Sequence, residues 1–323
     1  MKKVLTAAAF ALAAVCVAMY MGGRSYSRTE YMLDTIITVT ADERKAVSAC
    51  FDEISRIENL LSAYLPDSEI SKINSAPSGE GVEVSEEVFS LLERAQQYKQ
   101  ATDGAFDISI KPVVDLWDIG GEGNVPDDES LLSALECVGD IVLDKSNHTV
   151  TLPRDGMGID LGGIAKGYAG DRVREILKEH GVRSAIADLG GNIVTVGKNG
   201  KRPWRIGLQD PKGARGTSFA DISIEDSCVV TSGGYERYFE KDGKTYHHII
   251  DPNIGKNPDN GILSVTIIAQ DGTLADALST AVFVAGKDRG IDIAERLGVE
   301  AVIFANTGVY HTDGVKLNIH TEK

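Results

Sequence analysis

The chain has 323 residues, 42% of them hydrophobic and 25% charged, an ordinary globular composition with enough length for a sizeable core. Lys and Arg number 33 against 48 Asp and Glu, giving a net charge of -15, and no basic tract is present to follow a phosphate backbone. Nucleic-acid binding is excluded on that ground.

Lys2 and Lys3 precede an apolar run from Val4 to Met21, broken only by Thr6 and followed by Gly22, Gly23 and Arg24. Residues 1–22 read as an export segment. The run exceeds a usual signal-peptide core and just reaches the length that spans a bilayer, so a cleaved signal and a retained anchor both remain open. Ala13-Ala14-Val15-Cys16 loosely resembles a lipoprotein cleavage box, with Val15 a poor fit, and lipidation at Cys16 is the minor alternative. The positive end stays inside, which puts the body, residues 23–323, outside the cytoplasm. Cys50, Cys137 and Cys228 lie far apart without a C-x-x-C pair, so they form no thiol metal or redox motif.

Within the body, Thr35 to Thr40 alternates as a β-branched strand and Lys45 to Leu61 has helical periodicity. Ser62 to Asn74 reads as loop and turn. Ser85 to Thr102 is a helix capped by Ser85, ended by Asp103-Gly104, and a glycine-rich loop from Trp117 leads to a short helix near Ser130 to Val138. Ile141 to Leu152, Met157 to Leu161, Ala185 to Val196, Trp204 to Gln209, Ser218 to Ile224 and Ser227 to Thr231 read as strands. Ile164 to His180 is an amphipathic helix between them. Thr245 to Ile250 and Leu263 to Ala269 continue the β pattern, Leu274 to Ala285 and Asp288 to Leu297 are helical, and Glu300 to Phe304 is a last core strand. The expected fold is α+β, mixed sheets packed with helices in one large catalytic domain.

Asp160 to Lys166 reads Asp-Leu-Gly-Gly-Ile-Ala-Lys, a carboxylate, two glycines and then a lysine in the first turn of a helix. Free N–H groups and the positive dipole end favour an anion there, although the same pattern also makes an ordinary connection. The Walker and dinucleotide signatures both fail: Tyr168 and Ala169 stand where Lys and Ser or Thr are required, and Leu161 replaces the third glycine. Asp160-Leu161-Gly162-Gly163 recurs as Asp188-Leu189-Gly190-Gly191, and two such turns could face one cleft.

Asp276, Ser279 and Thr280 share one helical face, a pattern of hard oxygen donors for Mg²⁺, while Thr273 to Asp276 also matches a capping box. His247 and His248 point to opposite sides of a strand, one of them available as a general base. Tyr64 and Phe106 are loop aromatics that could stack on a planar ring or pack a loop onto the core.

Together Leu33-Asp34-Thr35, Ser62 to Asn74, Asp103 to Gly120, Asp160 to Ala169, His248 to Pro252 and Asp276 to Thr280, in that order, resemble the FAD:protein FMN transferase (ApbE-type) family from about Tyr31 to Lys316. The resemblance implies FAD binding at Leu33, Tyr64, Ala105, Phe106, Asp107, Asp160, Lys166 and Ile250. It implies Mg²⁺ at Asp276, Ser279, Thr280 and a main-chain oxygen of Gly163, with His248 as base. The implied reaction moves FMN from FAD onto a Thr or Ser hydroxyl of an exported or membrane-bound flavoprotein, releasing AMP. Two alternatives remain: an FAD pyrophosphatase yielding FMN and AMP, and a non-catalytic FAD-binding lipoprotein.

Overall fold

The computed structural model describes residues 25–320. The export segment at residues 1–22 and the lipidation alternative at Cys16 lie outside them. Among the described residues no helix is long and apolar enough to cross a membrane.

In chain order the elements are β1 (Tyr26–Met32), β2 (Thr35–Ala41), α1 (Arg44–Leu61), α2 (Glu69–Ser75), β3 (Gly81–Glu83), α3 (Glu86–Ala101), α4 (Lys111–Trp117), α5 (Asp128–Glu136), β4 (Val142–Asp144) and β5 (Thr149–Thr151). There follow α6 (Ala165–Glu179), β6 (Ser184–Leu189), β7 (Asn192–Gly197), β8 (Trp204–Gln209), β9 (Ser218–Ile224), β10 (Cys228–Gly233), β11 (Tyr238–Lys241) and β12 (Lys244–His247). The chain closes with β13 (Ile262–Ala269), α7 (Gly272–Ala285), α8 (Lys287–Arg296), β14 (Glu300–Ala305), β15 (Gly308–His311) and β16 (Asn318–Ile319).

Eight strands form one antiparallel sheet in the order β1-β2-β6-β7-β10-β13-β14-β15. Side chains alternate across it with a period of two. Ile37 and Val39 of β2, Ala185 and Ala187 of β6, Val230 of β10 and Ile303 of β14 join the main core under α1, α6 and α7. Each fully buried Val or Ile side chain there contributes about 1.5–3 kcal/mol. Helix α7 is apolar almost all round because it lies between the sheet and the other helices, with Ala275, Leu278, Ala281 and Val282 wholly buried.

The opposite face of the sheet is covered by a second sheet, β16-β9-β8. Trp204, Ile206, Leu208, Ile222 and Ile224 pack on Val229 and Val302, with Ile186, Ile193, Ile268 and Val309 at the margin. This second core takes nothing from β1 or β2, so that end of the face stays uncovered. A third, small cluster of Val113, Trp117, Leu131 and Ile250 gathers α4 and α5 beside the β11-β12 hairpin.

Several expected elements differ. Ser62 to Asn74 is not all loop: Ser68 accepts the Ser71 N–H and starts α2, which buries Ile70 and Ile73. Ile141 to Leu152 is a hairpin, β4 to β5, turned at Asp144–Ser146 and at His148, whose φ is 51°. Ala185 to Val196 likewise folds back through Gly190 and Gly191, both with positive φ, as β6 to β7. Met157 to Leu161 is no regular strand and makes only a single parallel bridge, Gly158 to Ile110. The β pattern at Thr245 to Ile250 ends at His247, and Glu300 to Ala305 is followed by two further strands.

Candidate active site

A cleft of about 2790 Å³ runs between the uncovered end of the main sheet, the α6 and α7 N-terminal region, and the 105–120 segment. Leu33, Tyr64, Ala105, Phe106, Asp107, Asp160, Gly163, Lys166, His248, Ile250, Asp276 and Thr280 all line it; Ser279 does not.

Leu33 and Asp34 form the two-residue turn between β1 and β2, both in the left-handed region at φ 50° and 56°. That conformation costs a non-glycine residue roughly 1–2 kcal/mol. Glu58 holds the turn by accepting the Leu33 N–H at 2.7 Å, and Arg237 by donating to the Asp34 carbonyl at 3.0 Å. Strain kept in place from two sides is characteristic of a functional position.

After α3, Asp103 and Gly104 turn the chain with φ of 50° and 78°, which brings Ala105, Phe106 and Asp107 to the cleft. Ala105 and Phe106 are buried, and Asp107 is fixed by Ser109 and by Lys99 at 3.0 Å. Opposite them, Asp160 accepts the Gly162 N–H at 2.7 Å and faces the Tyr64 hydroxyl at 3.4 Å. Burial and the Asp160 charge push the Tyr64 phenol up, so it stays protonated and donates. The Tyr64 ring also carries Lys111 over its face at 4.9 Å.

Helix α6 starts at Ala165, later than the paired glycines. Its first turn is partly occupied by the protein's own carboxylate, because Asp276 Oδ2 accepts the Gly167 N–H at 2.8 Å. Gly167 has to be glycine: a Cβ there would stand 2.2 Å from the Gly272 carbonyl oxygen and 2.6 Å from Asp276 Cβ. The capping-box alternative for Asp276 is overturned, since α7 is capped by Asp271, whose side chain accepts the Leu274 N–H. Asp276 Oδ1 is left facing Lys166 Nζ at 3.9 Å. A Cβ on Gly163 would come 3.5 Å from Thr280 Oγ1, so the Gly163 main chain and the Thr280 hydroxyl are close neighbours. Ser279 is fully buried, its hydroxyl engaged with the Asp276 carbonyl and with Ser232, each at 2.8 Å.

The two histidines separate as alternation requires. His247 packs edge-on against Phe283 and bonds Asn257, and burial lowers its pKa to about 4. His248 opens onto the cleft, and its Nδ1 lies 3.3 Å from the Arg237 carbonyl. A carbonyl only accepts, so Nδ1 carries the hydrogen and Nε2 keeps its lone pair. Enclosure by the cleft walls, then the cations Arg237 and Lys166, lower the pKa of this imidazole and favour the neutral form. The His248 side chain itself is exposed on the cleft side.

The repeated Asp-Leu-Gly-Gly segments both line the cleft by different means. Asp160 leads into a helix, whereas Asp188 ends β6 and accepts the Gly191 N–H across the hairpin turn at 2.9 Å. Protein crowding pushes the Asp188 and Glu236 carboxyls up. Glu236, Arg237, Arg215 and Asn192 also line the cleft, and no motif in the sequence points to them. Among the described residues Asn192 carries a buried side-chain nitrogen with no hydrogen-bond partner, at the cleft wall. None of these positions belongs to a periodic pattern that would single it out.

Comparison with known proteins finds relatives over most of the chain. A relative from Klebsiella pneumoniae named FAD:protein FMN transferase is 37% identical over 282 residues, covering 86% of this chain and 88% of the relative. Another of that name, from Treponema pallidum, is 36% identical over 318 residues, covering 90% and 88%. The crystal structure of the ApbE protein from Thermotoga maritima matches with a TM-score of 0.83 at 37% identity, covering 90% of this chain and 97% of that one. With the ApbE family profile matching residues 33–303, which take in the cleft from its Leu33 turn to α7, the chain belongs to the ApbE family.

Proposed function

We propose that this protein is a Mg²⁺-dependent FAD:protein FMN transferase, joining FMN from FAD through a phosphoester to a Thr or Ser hydroxyl of an acceptor flavoprotein outside the cytoplasm and releasing AMP. One observation carries the reading: a histidine anchored through Nδ1, a lysine and an acidic helix face share one cleft with an apolar wall. The names of the relatives support flavin transfer as its use.

Phe106 and Ile250 supply apolar surface for the ring systems, and Lys166 supplies positive charge for the pyrophosphate. Among the described residues there is no group of three or more His, Cys, Asp or Glu side chains that could hold a metal. The oxygens that remain still fit a hard cation, which typically uses one or two carboxylates beside water and phosphate. They are Asp276 Oδ1, the Thr280 hydroxyl and the Gly163 carbonyl; Ser279 would first have to give up its two hydrogen bonds. When bound there, Mg²⁺ neutralises charge on the pyrophosphate oxygens.

His248 Nε2 takes the acceptor hydroxyl proton while that oxygen attacks the FMN-side phosphorus. The bond from this phosphorus to the bridging oxygen breaks, and AMP leaves with that oxygen. Arg237 keeps the imidazole in the required tautomer through its carbonyl.

The test is incubation with FAD, Mg²⁺ and a flavin-free acceptor domain, followed by mass measurement. A gain of one FMN that is lost with EDTA is expected. An unchanged acceptor with free AMP would instead indicate a pyrophosphatase, and unchanged FAD would leave only a carrier.

A further inference from the structure

The cleft is several times larger than the roughly 300–1,000 Å³ that small-molecule sites occupy, so a dinucleotide leaves most of its 2790 Å³ unfilled. The remaining part has a definite shape. Its floor is the uncovered face of β2 and the adjoining, half-covered face of β6, where Ile36 and Thr38 alternate with the buried Ile37 and Val39, and Ser184 and Ile186 with the buried Ala185 and Ala187.

Its wall is β8. This strand pairs only with β9 and is an edge of its sheet. Consecutive residues of β8 line the cleft, the inward Trp204 and Ile206 together with the outward Arg205 and Gly207. Side chains on both faces of a strand can share one cleft only when the backbone edge is turned toward it. The unpaired N–H and C=O groups of that edge therefore look into the groove.

The groove also has a direction. Near its outer end, Trp204 Nε1 donates to the Val196 carbonyl, and Val196 pairs with Ala185 near the start of β6. Near its inner end, Arg215 beyond β8 reaches Glu236 at 3.6 Å, and Glu236 adjoins Arg237, whose carbonyl holds His248. The groove thus leads toward the proposed base.

Resting on the transferase reading, we propose that the acceptor protein binds as an extended segment added to the free edge of β8, delivering its hydroxyl residue to His248. Strand addition suits this site because main-chain hydrogen bonds bind many side-chain sequences, while the floor selects for shape. Six residues of β8 span about 20 Å, enough for an extended stretch of similar length. The exposed Lys201 and Arg202, neither in an ion pair among the described residues, favour an acidic residue at the outer end of that segment.

The experiment uses the whole enzyme and, as probe, a flavin-free flavoprotein domain whose FMN is normally carried on a threonine phosphoester. Transfer by the wild type is measured first. No FMN gain overturns the transferase reading, and the groove's occupant with it. With transfer established, amide hydrogen exchange is compared with and without the probe: residues 204–209 are expected to gain protection, and unchanged exchange there overturns strand addition alone. As a second measurement, Thr38→Arg projects a long cation into the groove from a position outside the FAD-binding set. It is expected to raise the KM for the acceptor about tenfold or more, the cost of one interface anchor, with FAD affinity retained. An unchanged acceptor KM would overturn the groove.

Discussion

Asp171 of α6 accepts the N–H groups of Gly272 and Thr273 at the start of α7, each at 2.8 Å, while Asp276 of α7 accepts the Gly167 N–H in the first turn of α6, also at 2.8 Å. Each carboxylate thus satisfies orphan donors of the other helix and lies at its positive end. Asp171 also accepts the Thr273 hydroxyl and pairs with Arg174 at 2.9 Å. The reciprocal arrangement fixes where Asp276 presents its second oxygen.

Asp171→Ala is expected to cost about 2 kcal/mol, the scale of a lost helix cap with charged hydrogen bonds. A lower thermal midpoint measures that cost. Because the same bonds set Asp276, the folded variant is also expected to need more Mg²⁺ for half-maximal transfer. A destabilised variant with an unchanged Mg²⁺ requirement would detach Asp171 from the site.

The parts of this architecture governed by periodicity were legible in the sequence. Helices α1, α3, α6 and α8 and strands β2, β8 and β9 lie within a residue or two of where their apolar spacing puts them. What was not legible depends on contacts between distant segments. Nothing local in Thr273 to Asp276 says that Asp276 bonds a glycine 109 residues earlier instead of capping its own helix. The same holds for Arg237, whose role comes from reaching the Asp34 carbonyl and offering its own carbonyl to His248. Gly-Gly turns were visible as turns, but which one starts a helix and which closes a hairpin was decided by the partners of Asp160 and Asp188.

Ser279 and Thr280 are neighbours in sequence with different surroundings. Ser279→Ala is expected to leave the Mg²⁺ requirement of transfer unchanged, because its hydroxyl is spent inside the protein. Thr280→Val removes a cleft-facing oxygen while keeping the shape of the side chain, and is expected to raise that requirement about tenfold. Titrating both variants with Mg²⁺ decides the matter, and the reverse ranking would move the metal to Ser279.

Acid stability follows from the network that ties α1, α3 and α6 together. Arg56 bridges Glu53 and Glu87, Arg172 also bonds Glu53, and Tyr168 donates to Glu87. Arg56 foremost, with Arg172, holds the Glu53 carboxyl down at about 2 from an ordinary 4.5. A depressed carboxyl stabilises the fold above its unfolded pKa and loses that contribution as pH falls toward the folded one. The loss therefore lies between about pH 4.5 and 2. Since the Arg56 side chain is 44% exposed, solvent screening limits the contribution to about 1 kcal/mol. Glu53→Gln should flatten this part of the stability curve in denaturant titrations taken at successive pH values, and an undiminished slope would assign the acid loss to other carboxyls.

The lowered pKa of His248 gives the proposed base a distinctive pH signature. A free histidine loses base function below about pH 6.5. Here enclosure, Arg237 and Lys166 all disfavour the protonated imidazole, so the neutral form persists to lower pH. The acid limb of kcat/KM for transfer, which reports the free enzyme, is expected to fall below 6.5. Lys166→Met removes one of the nearby cations and should move that limb upward, even though it also weakens FAD binding. His248→Gln keeps a hydrogen-bond donor near the Arg237 carbonyl but cannot take a proton, and transfer is expected to drop about 10²–10⁴-fold with FAD affinity retained. If His248→Gln instead transferred at the wild-type rate with the same pH profile, the acceptor hydroxyl would be losing its proton to another group, and Asp160 and Asp188, two of the carboxylates that line the cleft, would be the next to test.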